Sequence, residues 1–193
     1  MPANSPTTCA PLPTSPSSRA TPPTWTSCAS DYCLDFTKLE YGQHPAKDPM
    51  KHVKDHLETK KNVRGVHVLI GAFMETFWSQ YFGVFDAKEC KLSFYGSGDE
   101  SIHQIADEFA EVHGKRPVLE RRGSLEDLYN TMQAAYQKGP TDVYAYLALF
   151  YQYYCTNGQT YLKQDLDNSR YPHVKLVMFK SFMPSRRMEA LSG

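Results

Sequence analysis

The chain has 193 residues, a length that suits one domain, or at most two small ones, with a buried core. Its 21 lysines and arginines balance its 21 aspartates and glutamates, so no basic surplus indicates a nucleic-acid partner and no acidic tail stands out. No apolar run approaches the ~20 residues of a membrane span and no secretory signal is recognisable at the start, so we predict a cytoplasmic protein without membrane or nucleic-acid partners.

The first part of the chain, residues 1–30, differs in composition from the rest. Proline, serine, threonine and alanine dominate it, and Arg19 is its single charged side chain. Such a segment buries too little apolar surface to offset the entropy lost on ordering, so we predict disorder, with a polyproline II bias at Pro22-Pro23. A linker or a phosphorylated tail is the functional alternative to a segment without a specific role.

A helix followed by a buried strand is predicted next. Asp48 is a candidate helix cap and Pro49 suits the first helical position, so we place a helix from Met50 to about Thr59. A short apolar run then predicts a strand buried on both faces of a parallel sheet, its members being Val63, Val66, Val68, Leu69 and Ile70. The order of helix, turn and strand is half of a βαβ unit.

The loop after this strand is the first candidate for a functional site. Gly71 ends the apolar run, and ligands of open α/β sheets bind beyond the carboxyl ends of the strands. We therefore expect residues 71–74 to lie near a ligand. The simpler role for Phe73 and Met74 is packing against the core, because large apolar side chains are usually buried.

A strand, a turn and a helix are predicted in the middle of the chain. Lys91–Tyr95 has the pattern of a short strand, and Gly96-Ser97-Gly98-Asp99 after it favours a turn over a phosphate-binding loop, because the third glycine of such a loop is missing. Ser101 with Gln104 fits a capping box that opens a helix, and Gly114 is a natural residue to follow the end of that helix. Between them an apolar stripe follows helical spacing, formed by Ile102, Ile105, Ala106, Phe109 and Val112.

Two more helices and two short strands are predicted in the last third of the chain. Residues 117–120 suit a strand or an extended link, and Ser124 with Asp127 resembles a second capping box. The following helix leads to another over residues 141–154, which is apolar or aromatic almost all round, so we expect it to be largely buried or to line a cavity. Residues 173–179 are a possible strand.

No metal centre is evident from the sequence. The seven histidines are dispersed, and His52 and His56 share a helix face without a third ligand, so solvent-facing histidines are favoured over a metal site. The five cysteines are odd in number and form no Cys-x-x-Cys pair. The number and spacing of these cysteines favour reduced thiols over a disulfide framework.

Five stretches of the chain carry a likeness to a known family. They are residues 34–42, 71–77, 95–99, 114–117 and 151–158, with the sequences LDFTKLEYG, GAFMETF, YGSGD, GKRP and YQYYCTNG. In this order they resemble the NmrA-like family, atypical short-chain dehydrogenase/reductases that include isoflavone-reductase-type enzymes and fungal members. The resemblance covers about residues 30–183, and Cys33 stands where the family's Pro-Ser-Glu-Tyr-Gly segment has its glycine.

The resemblance implies an α/β fold with an incomplete Rossmann-like parallel sheet and a helical C-terminal part of the substrate domain. We accordingly expect a partial NmrA-like domain over residues 31–183 and a tail over residues 184–193. The family also implies NADP(H) binding and, in its enzymes, hydride transfer to a small aromatic substrate.

The same resemblance assigns candidate site residues. For the cofactor they are Ser30, Asp31, Tyr32, Gly71, Ala72 and Phe73, and for the substrate they are Phe73, Met74 and Phe77. The family's reductases use a lysine at the start of the helix that follows their Ser-Glu-Tyr segment. Met50 aligns with that position, and the adjacent Lys51 is the candidate catalytic residue.

Two family features are missing from the sequence. It has no Gly-x-x-Gly-x-x-Gly loop, which would hold the pyrophosphate over a helix N-terminus. The several tens of residues that usually follow the Gly-x-Gly-Asp turn are also missing, since Glu100 leads directly into Ser101. We therefore expect a truncated NmrA-like protein with impaired reductase activity. The alternatives are a non-catalytic NAD(P)-sensing regulator with a transcription-factor partner, or an inactive fragment.

Overall fold

The computed structural model describes residues 25–31, 34–71, 73–98, 100–164, 166–175 and 177–185. These residues have a mixed α/β fold, which is the coarse class that the sequence predicts. The chain divides into two compact units, Met1–Gly71 and Ala72–Gly193. The division falls inside residues 31–183, for which a single NmrA-like domain stays a prediction.

The first unit is a parallel βαβ arrangement. Its elements are strand β1 (Trp25–Asp31), two 3-10 helices (Phe36–Lys38 and Pro45–Lys47), helix α1 (Asp48–Glu58) and strand β2 (Val63–Leu69). β1 and β2 are paired in parallel, with Trp25 opposite Val63 and Asp31 opposite Leu69. The predicted half of a βαβ unit is confirmed, and β1 completes it.

β1 is an element that the sequence analysis missed. Residues 25–30 belong to the segment predicted to be disordered, so that prediction is wrong for them, whereas residues 1–24 lie outside the described residues. The prolines of the segment stop at Pro23, so every residue of β1 has an N–H that a sheet can use. Its partner β2 is distant in sequence, and a local composition argument therefore cannot see it.

β2 is covered by α1 on one face only. Gly65 lies against the helix, since a Cβ added there would come within 3.1 Å of the Leu57 Cβ. On the other face Val68 and Ile70 are 40% and 44% exposed, so the prediction of burial on both faces is wrong. A parallel strand is buried on both faces where helices cover both, and α1 is the one α-helix among the described residues of this unit.

The second unit combines helices with a three-stranded sheet. Its described elements in chain order are α2 (Met74–Trp78), β3 (Phe85–Asp86), β4 (Lys91–Tyr95), α3 (Glu100–His113), β5 (Val118–Gly123), α4 (Leu125–Lys138), α5 (Val143–Thr156), a 3-10 helix (Asp167–Arg170), α6 (Phe179–Phe182) and a last 3-10 helix (Met183–Ser185). The strand order is β3-β4-β5, with β3 antiparallel and β5 parallel to β4. The predicted strand over Lys91–Tyr95 is confirmed.

Aromatic side chains fill the core of the second unit. Trp78 and Phe109 are fully buried with their ring centroids 5.4 Å apart, and Phe85 lies 5.3 Å from Phe109. Leu92 of β4 and Met183 are also fully buried. The apolar stripe predicted for α3 faces this core through Ile102, Ile105, Ala106, Phe109 and Val112. The helical spacing read from the sequence therefore identified the buried face of α3.

The residues after β4 form a turn, as predicted, although Asp99 lies outside the described residues. Gly96 and Gly98 have φ angles of +88° and +67°. A Cβ added to Gly98 would lie 2.5 Å from the Phe94 ring, so this position combines a left-handed backbone with a close ring. Glycine tolerates both conditions, which explains the Gly-x-Gly pattern without a phosphate.

α3 begins one residue earlier than predicted. Because the helix starts at Glu100, Ser101 lies inside it and is not its cap, which corrects the predicted capping box. The Gln104 side chain instead donates to Glu108, one turn further along the helix, at 2.9 Å. The predicted end of the helix is confirmed, since Gly114 follows α3 with a φ of +73° and its N–H bonds back to the helix.

The second predicted capping box is confirmed at the start of α4. The Ser124 hydroxyl accepts from the Asp127 N–H at 3.0 Å, and the Asp127 carboxylate accepts from the Ser124 N–H at 2.7 Å. The preceding strand, predicted over 117–120, is Val118–Gly123 and therefore runs up to the cap.

One prediction for the last third of the chain holds in part and another is wrong. In α5 Tyr146 and Phe150 are buried and α4 packs against the helix, but its first turn is exposed, with Tyr144 79% exposed. Residues 173–179 do not form a strand in the part that the structure describes. The Val174 N–H closes a turn on the Tyr171 carbonyl, and β propensity alone is insufficient where no neighbouring strand is available.

Candidate functional site

The carboxyl ends of β1 and β2 form one edge of the first unit. Ser30 lies opposite Val68 and Asp31 opposite Leu69, and Gly71 follows two residues after β2. α1 ends at Glu58, only residues 59–62 join it to the start of β2, and it packs along that strand. The helix therefore runs opposite to the strands, and its first turn returns to their carboxyl edge.

Part of the predicted site lies at this carboxyl edge. Ser30 and Asp31 from β1, Gly71 after β2, and Lys51 from the first turn of α1 all belong to it. Tyr32 and Ala72, also predicted for the cofactor, lie outside the described residues.

The predicted substrate residues belong to the second unit. Phe73 directly precedes α2 and is 54% exposed, so it does not pack into the core. Met74 is half-buried in the first turn of α2. Phe77 packs edge-on against Phe179, with ring centroids 5.7 Å apart, at the margin of the aromatic core. Packing is therefore sufficient to explain Phe77, whereas Phe73 keeps an exposed aromatic surface.

Lys51 is held by a loop of its own chain, residues 39–42, called here the 39–42 loop. The Lys51 ammonium donates to the Leu39 carbonyl and lies 4.8 Å from the centre of the Tyr41 ring. A carbonyl oxygen and an aromatic face are both favourable neighbours for a cation. The candidate catalytic lysine is consequently half-buried, and its charge faces protein groups.

Tyr41 and Gly42 attach the same loop to other α1 residues. The Tyr41 hydroxyl donates to the Asp55 carboxylate, and its ring centroid lies 4.8 Å from that of His52. The hydrogen bond to Asp55 is the main cause that raises the pKa of Tyr41 to about 12, so the phenol is protonated at neutral pH. The Gly42 N–H donates to both oxygens of the Asp48 carboxylate, each at 3.1 Å.

This role of Asp48 corrects the predicted helix start. Asp48 is the first residue of α1, and Lys47 occupies the cap position. An aspartate at a cap would accept from the helix's own N–H groups, but here its carboxylate accepts from the loop. The long connection between β1 and α1 is thus held by a hydrogen bond to the first residue of the helix.

A buried histidine in this connection was missed by the sequence analysis. His44 has no exposed surface and Lys47 is 4% exposed, and the Lys47 N–H donates to the His44 carbonyl at 2.7 Å. Burial, together with the nearby Lys47 charge, lowers the pKa of His44 to about 3, so the imidazole is neutral at physiological pH. In the sequence His44 is only part of a polar turn, and no periodicity there predicts its burial.

The described residues contain neither a metal cluster nor a membrane-spanning helix. No group of three or more histidine, cysteine, aspartate or glutamate side chains there is arranged to hold a metal ion. His52 and His56 are both exposed on α1. Within the described ranges no helix is long and apolar enough to cross a membrane.

A shallow groove follows the polar face of α3 in the second unit. Its lining residues are Gly98, His103, Gln104, Asp107, Glu108, Glu111 and Lys180. Arg116 pairs with Asp107 at 2.6 Å, and Lys180 pairs with Glu111. These exposed ion pairs are typical of a solvated surface, and each contributes little free energy.

A tyrosine–lysine spacing that could support acid–base chemistry was also overlooked in the sequence. On a helix, residues i and i+4 share a face, so a lysine four residues after a tyrosine could lower the pKa of the phenol. Tyr171 and Lys175 have this spacing, but they are not on a helix: Tyr171 begins the turn that the Val174 N–H closes, and Lys175 follows that turn. The Tyr171 ring faces His173 instead, with ring centroids 6.5 Å apart. The spacing therefore builds no acid–base pair here.

The carboxyl edge of β1 and β2 has space for the nicotinamide ring of a dinucleotide, but its charge is unfavourable for the pyrophosphate. Gly71 has a φ of +72°, and no atom of the described residues lies within 4 Å of a Cβ built on it, so a flat nicotinamide ring could approach its backbone. A pyrophosphate requires N–H donors at a helix start, but α1 begins with the Asp48 carboxylate, which repels an anion. The residues present thus fit the nicotinamide end and do not fit the pyrophosphate.

In class, the described residues define a mixed α/β protein whose candidate site is the carboxyl edge of a βαβ unit. Among known proteins, no family model, no curated protein and no solved structure matches the chain.

Proposed function

We propose that this chain is an NmrA-like NAD(P)-binding protein, related to NADP-dependent reductases of small aromatic substrates and impaired in reductase activity. The observation that carries the proposal is the shared edge of β1, α1 and β2, to which Ser30, Asp31, Lys51 and Gly71 belong. Open α/β sheets bind their ligands at this edge. The inference that this ligand is NAD(P) rests on the five stretches that resemble the family.

Two observations support the impairment. The sequence has no Gly-x-x-Gly-x-x-Gly loop, and the carboxylate of Asp48 stands at the helix start where a pyrophosphate would need donors. In addition, one N–H of the Lys51 ammonium donates to the Leu39 carbonyl and the Tyr41 ring lies 4.8 Å away, so the loop competes with a substrate for this group. Weak cofactor binding and slow turnover follow from these two features.

A non-catalytic NAD(P)-sensing regulator is the second candidate. Met50 at the position of the family's lysine, and the engagement of Lys51 by its own loop, both favour a protein that binds the cofactor without turning it over. Its partner would then be a transcription factor, as the family resemblance implies.

Titration of the full chain with NADPH, followed by calorimetry and by amide NMR, tests the proposal, with NADH as comparison. We expect saturable binding weaker than micromolar, with the largest amide shifts at the ends of β1 and β2. Oxidation of NADPH in the presence of a panel of aromatic carbonyl compounds would then support the reductase, and binding without oxidation would support the sensor. A folded chain that binds neither nucleotide would overturn the proposal and leave the inactive fragment.

Two glycine variants locate the binding site. Gly71→Ala adds a methyl group at the strand edge, and Gly114→Ala is its matched control, because the two φ angles are +72° and +73° and neither added Cβ meets an atom within 4 Å. Both substitutions carry the same backbone strain of about 1 kcal/mol. We expect Gly71→Ala to weaken NADPH binding several-fold and Gly114→Ala to leave it unchanged. Equal effects would show that the ligand binds elsewhere.

A further inference from the structure

We propose that the 39–42 loop is a latch that holds Lys51 in a closed arrangement, from which the ammonium must be released before it can meet a ligand at the strand edge. The consequence for ligand binding rests on the proposed function. The closed arrangement itself does not, because it is defined by contacts within the first unit alone.

One face of α1 provides four side chains that contact the latch. Residues 48, 51, 52 and 55 follow the spacing i, i+3, i+4 and i+7, which places them in one row along the helix. Each binds a different part of the 39–42 loop: Asp48 the Gly42 N–H, Lys51 the Leu39 carbonyl, His52 the Tyr41 ring and Asp55 the Tyr41 hydroxyl. The loop therefore follows the helix for two turns, with Lys51 beneath it.

The loop is anchored at one end and exposed at the other. Leu39 is only 3% exposed, whereas Tyr41 is 48% exposed. Gly42 follows Tyr41 with a φ of +83°, a left-handed backbone that glycine adopts without strain. Because exposed hydrogen bonds and cation–π contacts exchange readily with water, the Tyr41 end can open while Leu39 stays buried. Lys51 then loses the ring above it and can rotate away from the Leu39 carbonyl.

The latch presents to Lys51 the same kinds of group that a ligand would offer. A carbonyl oxygen accepts from the ammonium, and an aromatic ring lies 4.8 Å away. An aromatic carbonyl compound carries both groups, so it would have to displace those of the loop. The apparent affinity of such a ligand is then reduced in proportion to the open fraction of the latch.

Lysine acylation of the native full chain, with each site quantified by mass spectrometry, tests the latch. Tyr41→Phe removes the hydroxyl that binds Asp55 and changes no charge, and Tyr41→Ala removes the ring as well. Relative to wild type, we expect the acylation rate of Lys51 to rise roughly threefold in Tyr41→Phe and roughly tenfold in Tyr41→Ala. These factors correspond to the loss of one exposed contact and of two exposed contacts. Unchanged Lys51 rates in both folded variants would overturn the proposal.

Lys54 is the matched control lysine on the same helix. It is also half-buried and pairs with Glu58 at 2.5 Å, outside the latch. Glu58→Gln should speed acylation of Lys54 and leave Lys51 unchanged, whereas the Tyr41 variants should do the reverse. A general loosening of α1 in the Tyr41 variants would accelerate both lysines together, and that result would also overturn the proposal.

Adding NADPH separates the latch from the proposed function. If the titration shows no binding while Tyr41→Ala still accelerates Lys51 alone, the latch stands and the proposed function fails. If NADPH binds but the Tyr41 variants do not change Lys51, the function stands and the latch fails.

Discussion

At the scale of residues, His44 links the stability of the first unit to pH. Its imidazole is fully buried, and its pKa is about 3 in the folded chain against an ordinary value of 6.5. Between these values the unfolded chain binds a proton that the folded chain does not, so this contribution to stability is complete above pH 6.5 and declines as the pH falls toward 3. The slope is about 1.4 kcal/mol for each pH unit inside that window.

The first residue-scale prediction concerns His44→Gln. The variant should be less stable than wild type at pH 7, since the packed imidazole is lost, but its stability should fall less steeply below pH 6. The measurement is hydrogen exchange of the β2 amides between pH 7 and pH 4.5. His56→Gln is the control, because His56 is exposed on α1, and it should retain the wild-type slope. Parallel slopes for His44→Gln and wild type would contradict the prediction.

At the scale of elements, short-range caps and turns define where the helices of the second unit begin and end. The capping box of Ser124 and Asp127 fixes the start of α4 immediately after β5. Its hydrogen bonds also lower the pKa of the Asp127 carboxyl, so the cap stays intact at neutral pH and weakens as acid protonates that group. Local chemistry thus sets the junction of a strand and a helix.

The element-scale prediction is that Ser124→Ala destabilises the second unit by about 1 kcal/mol, because a helix-start N–H loses its acceptor. Thr131→Ala is the control in the same helix. The Thr131 hydroxyl donates to the Asp127 carbonyl from an exposed position, and its removal should change stability by less than about 0.5 kcal/mol. Urea unfolding followed by the fluorescence of the buried Trp78 measures both; equal midpoints for the two variants would contradict the prediction.

At the scale of the whole molecule, the two units differ in what holds them. The second has a core of fully buried rings around Trp78 and Phe109, backed by Leu92 from the sheet. The first has a smaller set of buried apolar side chains, Leu34, Phe36 and Leu39, in the connection between β1 and α1. One helix packs against its two strands, and Val68 of β2 is 40% exposed. Burial of apolar surface therefore contributes more to the second unit.

The whole-molecule prediction is that Phe109→Ala destabilises the second unit by about 3–5 kcal/mol, since a buried ring is replaced by a cavity. Phe109→Leu should lose less stability than Phe109→Ala. It can replace the alanine variant in the comparison if that variant does not fold. Tyr144→Ala is the surface control, because that ring is 79% exposed, and its effect should be below about 1 kcal/mol. A similar loss for Phe109→Leu and Tyr144→Ala would show that Phe109 is not central to the core.

Much of the element pattern was predictable because it depends on near neighbours. The apolar stripe of α3, the Gly114 terminus and the Ser124 capping box are all encoded within a turn or two of the chain. The site was predictable only in part. The edge after β2 followed from the strand pattern at Gly71, but the fixed position of Lys51 did not.

The sequence by itself determined periodicity, caps and turns, since these rest on contacts between residues that are close in the chain. Only the tertiary structure decided that β1 pairs with β2, that His44 is buried, and that Lys51 is held by the Leu39 carbonyl and the Tyr41 ring. The physical reason is the same in each case: the partners are far apart in sequence and meet only when the chain folds, so no local pattern records their contact.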